Sequence, residues 1–360
     1  MRMPSIAGQR AVRSPGRTAA ERSPLLIVGN AGEVHVGAHL LASALELGWS
    51  GAVLDTKLAF AGSRWMAKVN WWLRGRRPNR LCQFSSQAVE ACHEQRPRWL
   101  VATGIAPLTE RALREIGAMG TKRLNFLTDD PWNRWHRAPW FMNALRAYDE
   151  VLSPRRSNLE DLRRHGCMSV AYLPFAYSPR IHYPEELVTP DEHRDFAADV
   201  TFAGGADAER RRVVAALIRE GFSVALYGQY WNWYPETRRF ARGHANPATL
   251  RRAVAGAKVA LSLVRRANRD GHAMRTFELG AMGACMLAED SEEHRQILGS
   301  DGESVMYFRS DREMIDRMHW LVEHEGERRR LRAAVHARIT GGRNTYTDRL
   351  TAMLCVAHAA

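Results

Sequence analysis

The sequence has no Cys-x-x-Cys pair. Its five cysteines, Cys82, Cys92, Cys167, Cys285 and Cys355, are scattered and odd in number. That excludes a disulfide framework and a cysteine-based zinc site, and it fits a reducing, cytoplasmic setting. No apolar run of about 20 residues occurs, so no transmembrane helix is expected. Residues 1–23 are rich in Arg, Ser, Pro and Ala and lack the apolar segment of a secretory signal; a disordered basic leader is the expectation. Acids are the scarcer charge, 39 Asp and Glu against 52 Lys and Arg in 360 residues, for a net charge of +13. Such a surplus favours anionic partners, whether nucleic acid, anionic lipid or phosphorylated metabolites.

Short apolar runs alternate with helical periodicity. "PLLIVG" leads through a Gly-punctuated turn into "AHLLASALELGW". "GAVLDT", "PRWLVATG" and "RLNFLTDD" follow as further strands, and "SNLEDLRRHG" as a helix. This alternation predicts an α/β fold with a doubly wound parallel sheet. Between 178 and 198 the composition turns to prolines and mixed charge, which suggests a linker. A second alternation begins at "DVTFAGG" and continues through "SVALYG", "KVALSLV" and "CMLAED". The expected organisation is an N-terminal domain over 24–177, the linker, a C-terminal domain over 199–345 and a helical tail over 346–360. Ligands of such sheets bind beyond the C-terminal strand ends, so the site is expected in a cleft between the two domains.

"NRDGHAMRTFELGAMGACMLAED" (Asn268–Asp290) places Asp270 and Glu278 around the start of a helix, with Gly271, His272, Arg275 and Thr276 between them. Unpaired N–H groups at a helix start suit a phosphate. Arg265, Arg266, Arg269 and Arg275 supply cations, and a carboxylate there can accept two hydrogen bonds from a vicinal diol. The alternative is an ordinary helix whose acids favour the helix dipole. "FAGGADAERRR" adds Gly204 and Gly205 for close backbone approach and Arg210 for a diphosphate, with Arg211 and Arg212 as solvated charges. Glu289 ends a buried strand nearby. In the N-terminal half, "GNAGEVHVGAH" lacks Gly-x-Gly-x-x-Gly spacing, which argues against a dinucleotide site. Gly32 and His35 lie in its turn, and an imidazole suits general-base chemistry. His35 and His39 have a spacing zinc can use, but no third ligand accompanies them, and no metal is expected. In "LTDDPWNRWH", Asp129 and Asp130 close a strand; they would orient an acceptor, serve as base or form an Asx turn before Pro131. Trp132 would stack on a sugar or pack. "AGSRWMAKVNWWLRGRRPNR" (61–80) has six cations, no acids and three tryptophans. It would touch an anionic membrane or turn its tryptophans into the core; nucleic acid is not favoured.

The Asp270/Glu278 pair resembles the Glu-x7-Glu element of two-Rossmann (GT-B) glycosyltransferases, with Asp in first place. Together with "FAGGADAERRR", "LYGQYW", "DDPWN", "SPRRSNLEDLRRHG", "YLPFAYSP" and "NTYTDRL", the chain from about Leu25 to Leu354 resembles glycosyltransferases of the spore maturation protein CgeB type. The resemblance implies a GT-B architecture, two Rossmann-like domains facing across a cleft. It further implies a nucleotide diphosphate sugar as donor, held by the C-terminal domain without a cofactor, and an acceptor that is carbohydrate, protein or lipid. On that pattern Glu278 would bind ribose and Asp270 the donor sugar; if the reaction inverts, His35 or Asp130 would be the base, and if it retains, neither need be one. A non-catalytic sugar-nucleotide or polysaccharide binder on the same fold, or a basic peripheral membrane or nucleic-acid binder, is the competing expectation.

Overall fold

A computed structural model describes residues 25–359; the expected leader over 1–23 lies outside them. Among the described residues, eleven strands form two parallel sheets. The first holds β1 (Leu25–Gly29), β2 (Gly51–Asp55), β3 (Trp99–Thr103), β4 (Lys122–Phe126), β5 (Glu150–Ser153) and β6 (Val170–Tyr172), in the order β2-β1-β3-β4-β5-β6. The second holds β7 (Ala198–Ala203), β8 (Val224–Tyr227), β9 (Ala257–Ser262), β10 (Met286–Glu289) and β11 (Met306–Phe308), in the order β11-β10-β9-β7-β8. Both are doubly wound, as the alternation of apolar runs predicts. The interior strand β1 is buried on both faces, which is why it reads as one unbroken apolar run rather than an alternating one. Ile27 pairs with Val53 on one side and Val101 on the other; Val200 likewise lies between Val224 and Val259. In each sheet the strand order reverses once, between β1 and β3 and between β7 and β9.

The chain divides into two compact units. One contains the described residues up to Leu152, Leu162–Ala171 and the chain from Met353; the other contains Ser153–Asp161 and Tyr172–Ala352. The division differs from the expected one. Residues 178–198 are no free linker but part of the second unit. Their prolines and charges have structural partners: Pro190 starts the helix Pro190–Phe196, which carries a Thr189/Glu192 capping box. Glu185 accepts from Arg251 Nε at 2.5 Å, and the Arg251 guanidinium also donates to the Ile181 carbonyl.

Two buried histidines make each unit acid-sensitive. Burial, aided by the neighbouring His35, pulls His39 down to about 4, and burial pulls His294 down to about 4. A lowered folded-state pKa contributes stability above the ordinary value near 6.5 that is lost as pH falls toward 4. Each histidine should cost on the order of 2 kcal/mol by pH 5. Urea midpoints are expected to fall between pH 7 and pH 5 in both units; midpoints that stay constant over this range would contradict the assignment.

Candidate functional site

The β7–β9 reversal of the second sheet brings together the loop after β7 and the loop before the helix Met274–Ala281. The first loop is shaped from outside. Gly228, at φ +140°, lies so close that a Cβ there would sit 2.3 Å from the Gly204 carbonyl oxygen. That oxygen accepts from Trp231 Nε1 at 2.7 Å, and Gly204 N–H donates to the Tyr227 carbonyl. Thus "LYGQYW" supplies the glycine this turn requires. Gly205 N–H donates to no acceptor among the described residues. A pocket of about 220 Å³ opens here, lined by Gly204, Gly205, Tyr227, Gln229, His244 and Arg275.

Two arginines, Arg210 and Arg275, touch this loop, and a third, Arg265, lies near Arg210. Arg210 Nη1 donates to the Gly205 carbonyl, but its Nε is buried without a hydrogen-bond acceptor, 3.6 Å from Asp207 Oδ2. Burial pulls the Arg210 guanidinium below its usual range; Asp207 opposes this, and the nearby Arg265 adds to it. Arg265 Nε is also buried without an acceptor. Arg275 donates to the Ala203 carbonyl through Nε and to Glu278 through Nη1. The other expected cations are tied off, Arg266 by Glu289 and Arg269 by Asp161. Arg211 and Arg212 pair with Glu236 and Asp311.

The loop 270–273 is held by groups distant in sequence. Asp270 receives Arg155 Nε; the two side chains are 6 % and 3 % exposed. Gly271 leaves room for Glu293, whose carboxyl carbon would lie 2.5 Å from a Cβ at that position. His272 is fully buried; its Nε2 accepts from Phe175 N–H at 3.3 Å, so its proton sits on Nδ1, 2.6 Å from Glu293 Oε2. Burial works against ionisation of Glu293. The His272 ring and Arg156 N–H outweigh it and hold the carboxyl below its ordinary range. Thr276 accepts from Ala273 N–H at 3.2 Å and meets His294 Nε2 at 2.9 Å. Gly271, His272 and Thr276, which the sequence points to as ligand residues, are therefore engaged in shaping the loop. Arg155, Glu293 and His294 are what sequence reasoning missed; "SPRRSNLEDL" stands out in the sequence, but its role as the clamp on this loop does not. Glu278 is 1 % exposed, with Arg275 on one oxygen and His182 Nε2 3.8 Å from the other.

In the first unit, His35 caps the helix Val36–Glu46, with its N–H on the Gly32 carbonyl and its side chain exposed at the β1–β3 reversal. Asp130 is 1 % exposed and accepts from Trp132 N–H at 3.0 Å, the Asx turn. Asp129 is the outward one, 40 % exposed and 3.9 Å from His136 Nδ1. Trp132 packs on the core, edge-on to His165. Among the described residues no group of three His, Cys, Asp or Glu could hold a metal ion.

Residues 207–355 match a family described as "Glycosyl transferase-like". That span contains Arg210 and the whole loop and helix around Glu278. No curated protein sequence matches the chain. Among solved structures the fold is similar to a sucrose-phosphate synthase from Thermosynechococcus elongatus, with TM-score 0.67 and 10% identity over 94% of this chain and 99% of that one. It is also similar to Anabaena HepE in complex with UDP-glucose, with TM-score 0.63 and 11% identity over 94% and 100%. A putative UDP-N-acetylglucosamine 2-epimerase from Listeria monocytogenes shares it at TM-score 0.54 and 12% identity, over 92% and 94%. The architecture is that of GT-B proteins, two Rossmann-like parallel-sheet units.

Proposed function

We propose that this protein is a metal-independent glycosyltransferase of the CgeB-like type. Its donor is a nucleoside diphosphate sugar bound in the C-terminal unit. The observation that carries this is the pair of guanidiniums, Arg210 on the Gly205 carbonyl and its neighbour Arg265, each with a buried Nε that no acceptor takes. Buried cations in this state call for an anion, and a diphosphate is the anion that fits a turn with a spare N–H. The family match over 207–355 and the UDP-glucose complex of HepE support the same class.

In this reading Arg275 exchanges partners: it leaves Glu278 for the diphosphate, and Glu278 accepts the ribose hydroxyls. Arg210, Arg265 and Arg275 then stabilise the departing diphosphate, the charge that develops in the transition state. Asp270, held by Arg155, faces the donor sugar. On the acceptor side His35 is exposed at the β1–β3 reversal and takes the acceptor proton if the reaction inverts. Asp129, rather than the turn-bound Asp130, orients the acceptor.

A thermal-shift panel of UDP, GDP, ADP and TDP and their sugars tests the proposal. One nucleotide at about 100 times its Kd should stabilise by about 2.7 kcal/mol, a rise of several degrees, and chelator should leave the rise intact. No rise with any of them would refute the donor site; a rise abolished by chelator would refute metal independence.

A further inference from the structure

No acid occurs between Asp55 and Glu90, while Lys57, Arg64, Lys68, Arg74, Arg76, Arg77 and Arg80 lie in that interval. The helix Arg64–Leu73 lies on the first unit in an inverted sense. Its one fully buried residue is polar: Asn70, which donates to Asn79 Oδ1 at 2.9 Å. Its apolar residues face out, with Trp65 72 %, Trp72 72 % and Leu73 80 % exposed, and Leu58 and Phe60 just before it are exposed as well. The alternative in which these tryptophans enter the core is excluded. The surface is firmly built. Arg76 stacks on Trp71 at 5.5 Å and donates to the carbonyls of Arg134 and Arg137, and exposed Trp135 lies beneath the Arg134 guanidinium.

We propose that this face docks on an anionic lipid bilayer, with Trp65, Trp72 and Leu73 entering the interface and Lys68, Arg74 and neighbouring cations meeting lipid phosphates. The charge pattern selects the occupant. A second copy would set cations against cations. A nucleic acid would satisfy the arginines but leave Leu58, Phe60 and Leu73 in water. A bilayer offers phosphate and hydrocarbon at the depths these side chains reach. The inference does not depend on the donor site.

Co-sedimentation of the full chain with vesicles tests it, using phosphatidylcholine alone and phosphatidylcholine with about one-third phosphatidylglycerol. The wild type should prefer the anionic vesicles by at least about tenfold, and added salt should weaken binding. Trp65→Ser/Trp72→Ser and Lys68→Glu/Arg74→Glu should each lower partitioning by about tenfold, with unchanged circular-dichroism melting because all four side chains are exposed. Variants that bind like the wild type, or equal binding to neutral vesicles, overturn the proposal. So does a wild type that ignores vesicles but forms a dimer or an RNA complex that the tryptophan variant loses.

Discussion

Glu278→Gln is expected to weaken nucleoside diphosphate binding by about 10–100-fold while leaving the melting temperature within about 2 °C. The two halves of this expectation have separate causes. A carboxylate accepting hydroxyls makes charge-assisted hydrogen bonds, each worth about 1.5–3 kcal/mol; an amide keeps the shape and loses that charge. The fold should tolerate the change because the amide keeps the shape of Glu278 and because Arg275, although burial of its guanidinium pulls it down to about 10, keeps 37 % of its side-chain surface in contact with water. The amide oxygen also still accepts from Arg275 Nη1. Isothermal titration with the nucleotide found in the stability panel measures the first half, and thermal melting without ligand the second. Unchanged affinity would remove Glu278 from the donor site even if the protein proved to be a transferase.

Arg155→Ala should do the reverse, acting on the fold before the ligand. Both members of the Arg155–Asp270 pair are almost fully buried, so removing one strands the other charge. Such losses run to about 3–5 kcal/mol, a fall of about 10 °C for a unit of this size. The combination Arg155→Met/Asp270→Asn should recover most of the loss, because neither buried charge is then left alone. A single Arg155→Ala variant that melts like the wild type would mean that the loop 270–273 is held by Glu293 and His272 alone. If the double variant recovers stability but not transfer, Asp270 acts on the donor sugar as well as on the loop.

The elements themselves could be read from the chain because their causes are local. Buried parallel strands are short apolar runs, and Gly221, at φ +88°, stops its helix where the spacing says it should. The Asp270–Glu278 stretch also stood out, since it sets two carboxylates and an arginine around a helix start. The segment over 178–198 misled for a local reason too. Proline and mixed charge are what a linker shows, but they are also what a capped helix and a Glu185–Arg251 pair require.

The sequence by itself determined two doubly wound units and singled out the stretch of chain that forms the candidate site. Tertiary structure decided which residues remain available to a ligand. Of the four arginines around the helix start, Arg266, Arg269 and Arg275 each meet an acid, and only the fold separates them from Arg265, whose buried Nε has no acceptor. Of two adjacent aspartates, one is buried in its own turn and one faces out. Arg155 reaches Asp270 across 115 residues, and three tryptophans that periodicity left undecided between core and surface are exposed. The reason is the same in each case: local order follows from neighbours in the chain, whereas the availability of a charge or an aromatic ring depends on partners that only folding brings near.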